Sequence, residues 1–188
     1  MSIKVYVDQG HNPRGFNTGA EGNGFFEQDI TYEVGLRLYD YLAGNPEFEP
    51  RLSRPEPDTV LGTNNSSSLV ARVREANSWG ADVFVSLHTN AAENPAANGS
   101  EVLVYRNGGA AYRLAEDILR EMTAVTGLRS RGIVERPGLY VLRRTNMPAV
   151  LVEMGFITNA RDAELMAYSP GLFALGIYRG ILDYYGFT

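Results

Sequence analysis

The chain has 188 residues, 44% of them hydrophobic and 21% charged, which is the balance of an ordinary globular protein rather than a disordered or membrane-spanning one. A net charge of −5 with no basic run argues against a nucleic-acid partner, and the absence of cysteine excludes disulfides and thiolate metal sites. The apolar runs are shorter than the about 20 residues a bilayer span takes, so no membrane insertion is expected, and no secretory signal is visible before Ile3.

Ile3 to Val7 alternates apolar and polar residues and runs into a glycine turn at Asp8-Gln9-Gly10-His11, the pattern of a strand. Asn12 to Asn23 reads as a loop. From Asp29, Ile30, Val34, Leu38 and Leu42 recur at four-residue steps as one stripe of a helix, which Gly44 and Pro46 end. A short strand is expected over Phe48 to Leu52 and a loop over Arg54 to Asn65. Ser66 to Ser68 offer capping hydroxyls to a helix that carries Leu69, Val73 and Ala76 and closes at Gly80. Val83 to Leu87 is a nearly continuous apolar strand, the kind buried on both faces of a parallel sheet. A loop to Gly99, a strand over Val102 to Tyr105 and a helix over Ala111 to Val125 follow. Two more strands are expected, over Leu139 to Leu142 and Val150 to Val152. A last helix starts at Ser169-Pro170. This alternation predicts one α/β domain over residues 1–188, with a mainly parallel sheet of about six strands and helices on both faces.

The two histidines, His11 and His88, each follow a strand, where open α/β sheets gather their ligands. Glu27 stands before the first helix, and Glu153 follows the apolar run Val150-Leu151-Val152. Two neutral imidazoles and one carboxylate make the protein-ligand set of a catalytic zinc site with a position left for water. A second glutamate would serve as the base of a hydrolysis, taking a proton from water and passing it to the leaving group. Oxygen-seeking divalent ions fit two imidazoles less well.

Val7-Asp8-Gln9-Gly10-His11, then Gly19-Ala20 and Glu27, Arg72, Ala81 through Ala91, Gly99-Ser100-Glu101-Val102, Arg131-Gly132, Val141-Leu142-Arg143 and Pro148 through Phe156 occur in that order. Together they resemble the zinc-dependent N-acetylmuramoyl-L-alanine amidases of the amidase-3 family over essentially the whole chain. The resemblance implies one zinc per chain held by His11, Glu27 and His88, with Glu153 as catalytic glutamate. It also implies peptidoglycan as substrate and action on the bacterial cell wall. Gln9 departs from the family, which usually has proline there; no ligand is lost.

Asn90, Glu101 and Arg131 are candidate substrate contacts, although Asn90 also suits a strand turn and Glu101 an exposed strand. Asp8 reads as a polar strand end in preference to a group orienting an imidazole, and Arg143 as a surface residue. Some members of the family are held inactive by a helix inserted after the second histidine. Here Ala91 to Asn98 contains Pro95 and is shorter than the about 12 residues of a marginal helix, so an open cleft and no activator protein are expected; a monomer is expected separately. Two other readings use the same residues or the same substrate: a carboxypeptidase-like zinc peptidase acting on stem peptides, and a wall-binding module without catalysis. The latter would be expected to lose a ligand or the base.

Overall fold

Alternation divides the first strand, β1 (Ile3–Gln9), between two cores: Val5 and Val7 are buried on one side and Tyr6 on the other in the computed structural model, which describes residues 2–187. The later elements are β2 (Glu21–Gly22), β3 (Phe25–Phe26), α1 (Glu27–Ala43), β4 (Phe48–Leu52), α2 (Asn65–Trp79), β5 (Val83–Asn90) and β6 (Ser100–Val104). They continue with α3 (Gly109–Thr126), β7 (Ser130–Glu135), α4 (Tyr140–Arg144), β8 (Ala149–Phe156), α5 (Ala160–Tyr168) and α6 (Pro170–Tyr185).

The main sheet has six strands in the order β4-β1-β5-β8-β6-β7, and every neighbouring pair is parallel except β6 with β8. The expected mainly parallel six-stranded sheet is therefore present. Helices α1, α3 and α6 cover one face over Val85, Leu87, Val150 and Val152, while α2 and α4 cover the other over Phe84 and Leu151. No single helix among the described residues is long and apolar enough to cross a membrane.

Three local expectations are corrected. Leu139 to Leu142 is not a strand: Pro137-Gly138 turns the chain and Leu139 caps the short helix α4. The sixth strand is instead β7, an edge strand whose only large apolar residues are Ile133 and Val134, so it lacks the alternation that marks a strand in sequence. Helix α5, charged on its outer side, was not anticipated; the Asn159 side chain caps it by accepting from the Asp162 N–H. Smaller shifts put the cap of α2 at Asn64 and carry β5 on through His88 to Asn90.

Helices α3 and α6 approach until glycine is required. A Cβ on Gly180 would overlap the Ile118 Cα of α3. Replacing Gly180 by Ala is expected to cost about 1–3 kcal/mol through overpacking. Thermal unfolding should show a Tm lowered by several degrees, and an unchanged Tm would remove this account of the helix pair.

Candidate metal and catalytic centre

His11 leaves β1 with φ at +69°, a left-handed conformation that few non-glycine residues adopt. Arg72 of α2 holds it there. The Arg72 guanidinium, 1% exposed, donates from Nη1 to Asp8 Oδ1 and to the Gln9 carbonyl, both at 2.6 Å, and from Nη2 to the His11 carbonyl. Asp8 Oδ2 accepts from Ser86 Oγ at 2.7 Å. Burial alone would raise the Asp8 pKa, but Arg72 and Ser86 keep the carboxyl below the usual range. Asp8 is thus one half of a buried ion pair, not a polar strand end, and its hydrogen bonds go to Arg72 and Ser86 rather than to an imidazole.

Gln9, the departure from the family pattern, is fully buried and turns its side chain into a rivet. Its Oε1 accepts from the Arg54 N–H at 2.9 Å, and its Nε2 donates to the Tyr32 carbonyl at 3.3 Å. Its own N–H donates to Ser53 Oγ at 3.0 Å, a bond proline lacks the proton to make.

Glu27 is the first residue of α1, one position inside the helix rather than ahead of it. Its Oε1 meets His11 Nε2 at 3.0 Å and His88 Nδ1 at 3.2 Å, and accepts from the Thr89 N–H at 2.9 Å. Its Oε2 accepts from the Ala20 N–H at 2.8 Å. Burial opposes the charge, yet the bonds to the two imidazoles hold this carboxyl well below the usual range. Glycine at position 10 lets the chain pass close to His88: a Cβ there would lie 2.7 Å from the imidazole.

The donor atoms of His11, Glu27 and His88 all lie within 4.8 Å of one another, the convergence a single metal ion needs. The hydrogen bonding of His11 points the same way. Its Nδ1 faces Asn17 Oδ1 at 3.2 Å while its Nε2 faces Glu27 Oε1. A neutral imidazole carries one N–H and satisfies one of these acceptors; a cation between Nε2 and Oε1 replaces the missing proton. The donor set therefore fits a metal of the kind that takes nitrogen and oxygen ligands. Asn17 itself has φ at +55° and donates from Nδ2 to Ser68 Oγ at 3.2 Å. It was not singled out in the sequence, where it is one polar residue in a loop of several.

Glu153 lies on β8 in register with His88 of β5 on one side and Glu101 of β6 on the other. Its Oε2 is shut away from solvent without a hydrogen-bond partner. Burial, then the charges of Glu27 and Glu101, push its pKa up to about 8. The three candidate substrate contacts form one chain beside it: Asn90 Nδ2 donates to Glu101 Oε1 at 2.9 Å, and Arg131 Nε pairs with Glu101 Oε2 at 3.4 Å. Asn90 also makes the turn contact, its Oδ1 accepting from the Ala91 N–H at 2.9 Å. Arg143 is exposed on α4 and lines a separate cavity with Tyr105 and Arg106.

The centre opens at the carboxyl ends of β1, β5 and β8. A cavity of about 170 Å³ lined by His11, Asn17, Leu69, His88 and Tyr140 adjoins it on the α2 and α4 side. A larger one, about 640 Å³, is lined by Lys4 and Asp82 and includes none of His11, Glu27, His88 or Glu153. Ala91 to Gly99 folds as turns rather than a helix over the centre.

The family model described as N-acetylmuramoyl-L-alanine amidase matches residues 5–183. N-acetylmuramoyl-L-alanine amidase CwlM of Bacillus licheniformis is 37% identical over 180 residues, covering 95% of this chain and 65% of that protein. LytC of Bacillus subtilis strain 168, a protein of the same description, is 37% identical over 185 residues, covering 96% of this chain and 35% of its own length. The chain thus spans between about a third and two thirds of these relatives. Among solved structures, the catalytic domain of the amidase CwlV from Bacillus (Paenibacillus) polymyxa var. colistinus superposes with a TM-score of 0.86 at 32% identity, over 100% of both chains.

The raised Glu153 pKa carries a stability signature. Its folded value of about 8 exceeds its ordinary value, so the stabilising neutral form is fully present below about pH 4.5 and is lost as pH rises through 8. In metal-free protein, Glu153→Gln should leave Tm nearly unchanged at acid pH and raise it by roughly 5 °C or more above pH 8. A Tm difference that is flat across that range would remove the buried-carboxyl description.

Proposed function

The chain belongs to the N-acetylmuramoyl-L-alanine amidase family, and from that membership we propose that it hydrolyses the amide between N-acetylmuramic acid and L-alanine in peptidoglycan. Zinc, one ion per chain, is the proposed metal, held by His11 Nε2, His88 Nδ1 and Glu27. The observation that carries this reading is the convergence of those three donors beside Glu153, a carboxyl whose surroundings favour its protonated form.

Bound zinc supplies Lewis acidity, polarising a carbonyl and making water a better nucleophile at neutral pH. The remaining work falls to the chain. Asn17 fixes the His11 ring by accepting at Nδ1, which leaves Nε2 free to bind metal. Glu153, ionised when a bound cation offsets the charge of Glu27, would accept a proton from the attacking water, hold it in a buried site, and return it to the leaving amine nitrogen. Asn90, Glu101 and Arg131 border the path the substrate takes on the β6 side.

Residues 1–188 act in this reading as a single catalytic domain on the bacterial wall. The turn-rich loop over Ala91 to Gly99 leaves the centre open, so the isolated chain is proposed to work as a monomer without an activator protein.

Digestion of purified walls followed by mass analysis of the muropeptides tests the reaction. Release of intact stem peptides is expected; peptides trimmed internally would indicate a peptidase, and no products would indicate a binding module. If zinc-loaded protein worked only after a partner was added, the open cleft would have been misread.

A strong chelator should abolish activity, and added zinc should restore it. His11→Ala should lose the metal, because two remaining protein ligands hold zinc poorly. Glu153→Gln should keep zinc and lower turnover by roughly 10²-fold or more, the scale of removing a general base. Asn17→Leu should weaken zinc binding by about 10–100-fold in a chelator competition, while Asn17→Asp, which retains an acceptor, should stay close to the parent. Equal zinc affinity for Asn17→Leu and the parent would exclude that positioning role.

A further inference from the structure

We propose that Arg131 reads a free carboxylate on the second residue of the stem peptide and thereby separates stems with an acidic second residue from amidated ones. This rests on the amidase reading above. Arg131 is held on three sides: Nε pairs with Glu101 at 3.4 Å, Nη1 donates to the Asn98 carbonyl at 3.3 Å, and the guanidinium carbon lies 4.9 Å from the Phe156 ring centre. Those contacts use Nε and Nη1 and the flat face. The side chain stays 33% exposed, and these bonds leave Nη2 unengaged.

Position gives the ligand. β7 is two strands from β8, a separation of roughly 10 Å, and Arg131 leans back over Phe156 of β8 to shorten it. An extended peptide covers about 3.5 Å per residue, so a stem leaving the scissile amide towards β7 brings its second or third residue to the guanidinium. In peptidoglycan the second residue is a glutamyl unit linked through its side chain, whose α-carboxyl is free or amidated.

Charge gives the reason for an arginine. Glu101 stands in register with Glu153 at this rim, so an anionic peptide approaching β6 meets the Glu101 carboxylate. Arg131 offsets Glu101 and still has donors to spare. It offers donors and no acceptor, so it bonds a carboxylate with charge assistance and gains little from a neutral carboxamide.

The test is a matched pair of muramoyl peptides that differ only in a free or amidated α-carboxyl at the second residue. For Arg131→Gln, KM for the carboxylate substrate should rise roughly tenfold, the value of one charge-assisted hydrogen bond at a partly exposed site, with kcat little changed. The amidated substrate should change by less than about twofold, and Arg131→Lys should fall between, since it keeps the charge without the planar fork. Equal losses on both substrates, or none on either, overturn the proposal. If the parent protein cleaves neither substrate, the amidase reading fails instead. NMR titration of the dipeptide L-alanyl-D-isoglutamate into parent and Arg131→Gln protein then still decides whether Arg131 binds its carboxylate, and equal affinities overturn it.

Discussion

The centre depends on a charge buried where charges are costly. Arg72 and Asp8 are each 1% exposed, and their 2.6 Å pair is the anchor from which the β1 turn is hung. Removing one member of such a pair leaves the other uncompensated and costs about 3–5 kcal/mol. In return, a single guanidinium fixes the Gln9 and His11 carbonyls together and keeps His11 in a backbone conformation that a histidine does not choose freely. Asn12 is held by the same shell, its Oδ1 accepting from the Leu61 N–H at 3.0 Å. The backbone at His11 is therefore fixed by Arg72 of helix α2, while Asn17 of the following loop orients the ring.

Two carboxyls close to each other in space are driven in opposite directions. Glu27 is fed by two imidazoles and two backbone N–H groups and is held ionised. Glu153 has an oxygen sealed without a donor, and burial together with the charges of Glu27 and Glu101 pushes its pKa up. That divergence follows from which elements meet around each group, and it fits the separate roles proposed for the two.

Much of this was legible in the sequence because it is carried by local pattern. The apolar run at Val83 to Leu87 announces a central strand, and each histidine is tied to a strand end by chain position alone. Glu27 and Glu153 were legible as chemistry-bearing residues, though the sequence pattern alone did not separate ligand from base. What stayed hidden depends on pairing between distant segments. Asp8 looks like a polar strand end until Arg72, 64 residues away, is seen packed onto it. Strand β7 hides because an edge strand needs only one buried face, and Ile133 and Val134 make too short a signal. The chain from Asn90 through Glu101 to Arg131 exists only because β6 runs antiparallel to β8 and parallel to β7, an order that nothing in the local spacing dictates.

That reversal, shared by β6 and β7, also decides where the molecule can be altered. β5 ends and β6 begins at the same rim, with β8 between them, so the nine residues of Ala91 to Gly99 form a bridge across the mouth of the cleft. Asn159 and Asp162 pin its far end, the first by donating to the Pro95 carbonyl at 2.8 Å and the second by accepting from the Gly99 N–H at 2.8 Å. Material grafted between those pins lies outside the strands and both cores, in the segment that follows His88 and β5. For a designer wishing to install a shutter, a sensor or an affinity tag, this span offers a short linkage to the proposed centre.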